Sequence, residues 1–304
     1  MKMNPVYKKE LKTNVRNVKM SWTILAYNAI LAGIALIAFY ACFANRSRID
    51  YSEILTIYAF IACLEFGLIL FVVPALTSSA ISGERERQTL EILLTTTLKP
   101  IQIITGKLYA SISEIILLVL SSLPILSLVF TVGGIRMVDL MTLIAVCIIT
   151  AVFVGAIGLF YSTIFKRTIP ATVMTYGTLI VVMLVSVVAL FVIQTLMVNI
   201  YDQQYYAVNP TTSAAYNPPK VGYAMLILLW NPAVTIFSML TAQFGGNNVL
   251  RELMMEFGMN NQFIINNWFP LSIMIQLATA GVLLIMAAKR LNPLNHKRKR
   301  KRKA

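Results

Sequence analysis

Side chains able to carry chemistry are few and scattered in this chain. The one histidine, His296, stands in a basic run near the carboxy terminus. Cys42, Cys63 and Cys147 each lie inside an apolar run at no metal-ligand spacing, and they read as small buried hydrophobes. No Gly-x-Ser-x-Gly occurs, and no two carboxylates stand at a spacing suited to acid–base work. Gly106-Lys107 lacks both the upstream glycine and the following Ser/Thr of a phosphate-binding loop. The pattern points to no catalytic residue, no metal site and no cofactor bound by this chain, which is not expected to be an enzyme. Two carboxyls sit inside apolar runs. Glu65 falls near the middle of one, where a carboxylate is costly and faces a partner, water or substrate. It is a candidate for a translocation path or a dimer seam; a protonated glutamate satisfied within a helix bundle is the alternative. Glu114 lies nearer the inner end of its run and reads as structural.

The stretch that joins charges of both signs to an apolar stripe is Ala80–Lys107, AISGERERQTLEILLTTTLKPIQIITGK. Ser82 or Gly83 can open a helix there, with Glu84 and Glu86 in the first turn, where acidic groups suit the helix dipole. Leu90, Leu93, Leu94 and Thr97 then fall at i, i+3, i+4 and i+7, one face of a helix that Pro100 is expected to stop. A loop that only joins two spans has no need of an apolar stripe. The expectation is a docking element for another protein, made by Glu84, Arg85, Glu86, Arg87, Thr89, Leu90, Glu91, Leu93 and Leu94.

The elements that must position this stretch are membrane spans. The chain has 304 residues, 58% of them hydrophobic and 12% charged. Twelve acidic residues are too few to clothe a soluble protein of this size. Apolar runs of the length that about 30 Å of hydrocarbon requires recur along it. We expect an all-α, polytopic membrane protein with six transmembrane helices, at 22–43, 54–80, 105–130, 140–165, 170–199 and 268–288. Residues 1–21 form an amphipathic interfacial helix with Tyr7, Leu11, Val15, Val18 and Trp22 on one face and lysines elsewhere, suited to an anionic leaflet. Residues 81–104 are the cytoplasmic segment between the second and third spans.

The run 221–244 is long enough to cross, but Asn231-Pro232 interrupts it. Charge bias decides between the alternatives. With the amino terminus inside and six spans, 21 of the 26 basic residues face the cytoplasm. A seventh span would turn the tail run Lys297–Lys303 outward. We therefore read 221–244 as a re-entrant hairpin entering from the outer side, and 289–304 as a basic cytoplasmic tail. That tail run supplies half of the net charge of +14, and the rest flanks spans, so topology and lipid attraction explain the charge and nucleic acid does not.

Glu84-Arg85-Glu86, Thr89-Leu90-Glu91, Pro100 and Gly106-Lys107 together resemble the region between the second and third spans of type-2 ABC transporter permeases, the membrane subunits of ABC exporters. Gln88 stands where that family often carries glycine. The basic interfacial helix and the broken segment before the last span resemble the family too, so the topological likeness covers nearly the whole chain. The resemblance implies that 81–104 is a coupling helix docked on a separate ABC ATPase subunit, where ATP and Mg would bind. It further implies a second permease copy, with substrate moving along the interface of a homo- or heterodimer in the plasma (cytoplasmic) membrane, both termini cytoplasmic. The competing reading is an ATPase-independent secondary carrier or channel subunit; no inverted repeat with paired broken helices supports it.

Overall fold

The structure, a computed structural model, describes residues 5–15, 18–43, 51–91, 95, 99–132, 135–208, 219–244 and 247–291. It is 90% helical, with no strand among the described residues. Helices run α1 Pro5–Val15, α2 Val18–Phe43, α3 Tyr51–Thr77, α4 Ser82–Glu86, α5 Pro100–Val132, α6 Met137–Ile164, α7 Thr168–Ile180 and α8 Ser186–Val208. They continue with α9 Pro232–Gln243, α10 Asn247–Glu256, α11 Gln262–Asn266 and α12 Trp268–Leu291. A π-helical turn, Val181–Val185, precedes α8, and a 3-10 helix, Gly222–Trp230, precedes α9. Among the described residues six helical stretches are long and apolar enough to cross a membrane: Met20–Ala41, Leu55–Glu86, Pro100–Ser127, Met137–Ile164, Thr168–Ala207 and Trp268–Leu291.

The chain divides into two compact units, residues 1–177 with 276–304, and residues 178–275. In the first, α2, α3, α5 and α6 pack on one another. Helices α3 and α6 come close where Gly158 leaves room for Thr77: a Cβ at 158 would overlap the Thr77 hydroxyl and come within 3.2 Å of the Ser78 nitrogen. Both residues are buried, so the glycine sets the spacing of the two helices. Helix α1 packs on α5 through Tyr7 of its periodic face and through Val6 beside it. Buried Val6 enters the core, the Tyr7 hydroxyl lies 3.0 Å from the Ser113 hydroxyl, and the Tyr7 and Tyr109 rings meet edge to face. Val18 and Trp22 are exposed, because a second helix begins at Val18 and does not continue the first stripe.

In the second unit the break at Asn231-Pro232 is as the sequence suggests. The 3-10 helix and α9 meet at 102°. Asn231 is buried and fully engaged: its Oδ1 accepts from Ala233 N at 2.9 Å, and its Nδ2 donates to Met183 O at 2.9 Å and Ser186 Oγ at 3.0 Å. Pro232 at the first helical position gives up an N–H that a helix start leaves unpaired anyway. The segment also returns on itself. Gly222 abuts Gly258 and Met259 so closely that a Cβ would overlap the Gly258 carbonyl, and Gly258 has a φ of +86°. An apolar cluster of Leu190, Met225, Leu228, Leu229, Met254, Phe257 and Trp268 fills this unit.

Two expected boundaries move. Residues Tyr201–Val208 continue α8 as helix past the expected end of the fifth span at 199, with the Tyr201 and Tyr205 rings stacked one turn apart. Pro100 opens α5, since proline suits a first turn as well as a stop, so the third span starts five residues before its expected position; residues 96–98 before it lie outside the described residues.

Candidate functional site

The segment between α3 and α5 begins as a turn, Ser78–Ile81, and enters the short helix α4. Ser82 is inside this helix and does not cap it; its hydroxyl donates to Ser78 O at 2.9 Å. The cap comes from another element. Ser162, fully buried on α6, accepts from both Ile81 N at 2.8 Å and Ser82 N at 2.9 Å. Two amide donors at a helix start are thereby satisfied by one hydroxyl of a neighbouring span.

The next three residues each hold a different element. Glu84 pairs with Lys107 of α5 at 3.3 Å, and the same ammonium reaches Glu10 of α1 at 2.9 Å. Lys107 is 5% exposed, so this is a cation gripped between two half-exposed carboxylates at the junction of three helices. Burial pushes the Glu84 carboxyl up, but the Thr89 hydroxyl beside it and the Lys107 charge outweigh that and hold it below the usual carboxylate range. Arg85 donates to the carbonyls of Phe165 at 3.1 Å and Thr163 at 3.4 Å, at the end of α6. Glu86 accepts from Thr168 N at 2.9 Å and Thr168 Oγ1 at 3.1 Å, at the start of α7. The guanidinium thus meets the negative end of one helix and the carboxylate meets the positive end of the next.

The helix does not run on to Leu94 as the periodicity suggests. It ends in a turn at Arg87–Gln88, and Gln88 takes a left-handed φ of +58°. Glycine reaches that conformation without the strain a side chain adds, which accounts for glycine being common at this position in the family resembled. Leu90 and Glu91 are helical again. Leu90 faces inward at 6% exposure, packed with Val6, Ile81, Ile103, Ile104, Leu108 and Leu291. That burial contributes about 1.5–3 kcal/mol to the chain's own core, so Leu90 is not a surface for a partner here. Leu93 and Leu94 lie outside the described residues. Glu86, Arg87, Gln88, Thr89 and Glu91 form the exposed crest.

Glu65, within α3, is fully buried. Ser122 Oγ of α5 donates to its Oε1 at 2.6 Å, and Oε2 has no hydrogen-bond partner among the described residues. Tyr27 of α2 and Cys147 of α6 are near enough to interact with it electrostatically. A path or seam lined by Glu65 would require α3 and α5 to separate. Glu114 lies at a cavity of about 600 Å³ bounded by α1, α2, α4 and α5, the carboxy-terminal end of α3 and Thr168 of α7. Among the described residues no three His, Cys, Asp or Glu side chains are grouped to hold a metal.

Sequence reasoning missed Ser162, Thr168 and the role of Lys107. Lys107 stood out within the Gly106-Lys107 motif but with no partner assigned, and Ser162 and Thr168 carry no local signal, because their partners are some 80 residues away. No curated protein matches the chain. The family model described as ABC-2 family transporter protein matches residues 4–291, nearly the whole length. With its six apolar helices and its anchored loop between α3 and α5, the chain belongs to the ABC-2 transporter family, as the membrane permease subunit of an ABC transporter.

Proposed function

We propose that this permease works in an ATP-driven exporter and is coupled to a separate ATPase subunit through the crest Glu86–Glu91. The observation that carries this reading is the set of ties beneath the crest. Force applied at Arg87 or Glu91 passes through Glu84, Arg85 and Glu86 to α1, α5, α6 and α7. A connector needs no such bracing. ATP and Mg bind in the partner, two permease copies form the unit, and substrate moves along the seam between them, outward across the plasma membrane. Both termini are cytoplasmic in this arrangement, and residues 221–244 re-enter from the outer side. The juxtaposition of Gly222 and Gly258 supports the re-entrant reading. After α9, only the ten-residue α10 and a few linking residues separate the chain from its starting level, and a helix of ten residues covers about 15 Å, half a bilayer.

The experiment is co-expression of the full chain with an ABC ATPase encoded beside it. Charge reversal on the crest, Arg87→Glu with Glu91→Lys, leaves the buried ties and Leu90 intact. Loss of ATPase copurification, with normal insertion and expression, is expected. Full copurification and undiminished substrate-stimulated ATP hydrolysis in the double variant would refute the coupling role.

A further inference from the structure

The cavity beside the coupling segment follows one face of α5 into the helix bundle. Lys107, Ala110, Ser111, Glu114 and Leu118 line it at i, i+3, i+4, i+7 and i+11, so it reaches about 16 Å along that helix, half the depth of a bilayer. Leu118 is buried and is the farthest of these from the coupling segment, and Thr23 of α2 lines the cavity too. One turn beyond Leu118 the same face carries Ser121 and Ser122; one turn beyond Thr23 come Tyr27 and Asn28. With Glu65 these four make a polar layer. Asn28 Nδ2 donates to Ser121 Oγ at 2.7 Å, and Ser122 Oγ donates to Glu65 Oε1 at 2.6 Å. Glu65 Oε2, Tyr27 Oη and Asn28 Oδ1 are buried and have no hydrogen-bond partner among the described residues. The titratable groups facing Glu65 are Tyr27 of α2 and Cys147 of α6, while α5 offers it Ser122. On the side away from the cavity, buried Tyr58, Ile61, Ala62, Leu126 and Leu143 close the layer off over two helical turns.

We propose that Glu65 is a proton-binding site that exchanges with water in this cavity, and that the Leu118 side chain is the plug between them. A carboxylate in mid-membrane with one hydrogen-bond donor is costly, and a proton on Oε2 removes the charge. Ser122 lies about 6 Å along α5 from Leu118, a gap that one or two waters bridge. A water that passes Leu118 accepts the Oε2 proton and leaves the carboxylate bonded to Ser122; the carboxylate then takes a proton from the next water. The buried glutamate thereby gains a ligand without α3 parting from α5. The assignment holds whichever side of the membrane the coupling segment faces.

The test uses the full chain in nanodiscs and infrared spectroscopy. At neutral pH a carbonyl-stretch band of a protonated carboxylic acid is expected, absent from Glu65→Gln, that shifts on transfer to heavy water. Leu118→Ala, which opens room for water, should speed that shift several-fold. In a cysteine-free background, Thr23→Cys should react with a small cationic methanethiosulfonate, and the labelled chain should shift several-fold more slowly than the unlabelled one. If Leu118→Ala does not insert, the labelling comparison decides alone. No acid band assignable to Glu65, no reaction at Thr23→Cys, a shift rate that labelling leaves unchanged, or an unchanged rate in inserted Leu118→Ala would each overturn the proposal.

Discussion

Ser162→Ala removes one hydroxyl and leaves two buried amides, Ile81 N and Ser82 N, without the acceptor now 2.8 and 2.9 Å away. A buried donor left unsatisfied costs about 1–3 kcal/mol. Losing a helix cap costs about 1 kcal/mol. Water entering from the adjoining cavity would offset part of this, so about 2 kcal/mol is a reasonable net cost, concentrated where α4 begins. At about 1.4 kcal/mol per factor of ten, the local opening of residues 81–87 should become roughly 30-fold more frequent. Amide hydrogen exchange of the full chain in nanodiscs reads this directly. Residues 81–87 should exchange about 30-fold faster, with the amides of residues 221–243 unchanged. Exchange within two-fold of the parent protein would show that Ser162 does not hold the segment. Equal acceleration everywhere would show that the cost is global and the anchoring argument misplaced.

Gly158→Ala should lower the unfolding midpoint in micelles by an amount equivalent to about 1–3 kcal/mol, and Thr77→Ala in the same chain should recover most of it; equal stability of Gly158→Ala and parent would refute the close packing of α3 on α6. Gln88→Gly should be neutral or stabilising by up to about 1 kcal/mol and Gln88→Val destabilising by a similar amount, so a stabilised valine variant would rule out the left-handed turn. In a cysteine-free background, Lys220→Cys and Asn260→Cys should both react with an impermeant maleimide from the outer side; labelling from opposite sides would mean that 221–244 spans the membrane.

Much of the architecture was legible because hydrocarbon imposes length and composition. The six apolar stretches could be read directly, and Asn231-Pro232 announced its own break, since one residue caps and the other cannot continue a preceding helix. The coupling segment was harder for an equally physical reason. The acidic first turn at Glu84 and Glu86 and the apolar period that begins at Leu90 read as one helix across Gln88, and nothing in a side-chain pattern reports a single left-handed φ. Pro100 fits the stop of one helix and the start of the next, and only the structure distinguishes them. Glu84, Arg85 and Glu86 stood out as a cluster, yet their partners Lys107, Phe165 and Thr168 are set by packing between helices. Their charges read as outward-facing, yet Glu84 meets Lys107, and Arg85 and Glu86 meet the ends of α6 and α7, Glu86 while staying exposed.

The arrangement of Glu84, Arg85 and Glu86 also makes one half of the loop intolerant of changes in length. Successive residues of a helix point about 100° apart, so three neighbouring side chains can serve α5, α6 and α7 at once only in one register. Inserting or deleting a single residue between Ser82 and Glu86 would swing all three away together, and no one substitution could restore them. Past Gln88 that rotational lock weakens, although the Thr89 N–H and hydroxyl still reach Glu84 and Leu90 is buried. A reporter peptide placed between Gln88 and Leu90 should therefore disturb α4 less than the same peptide placed four residues earlier, while it would interrupt the crest proposed to dock the ATPase.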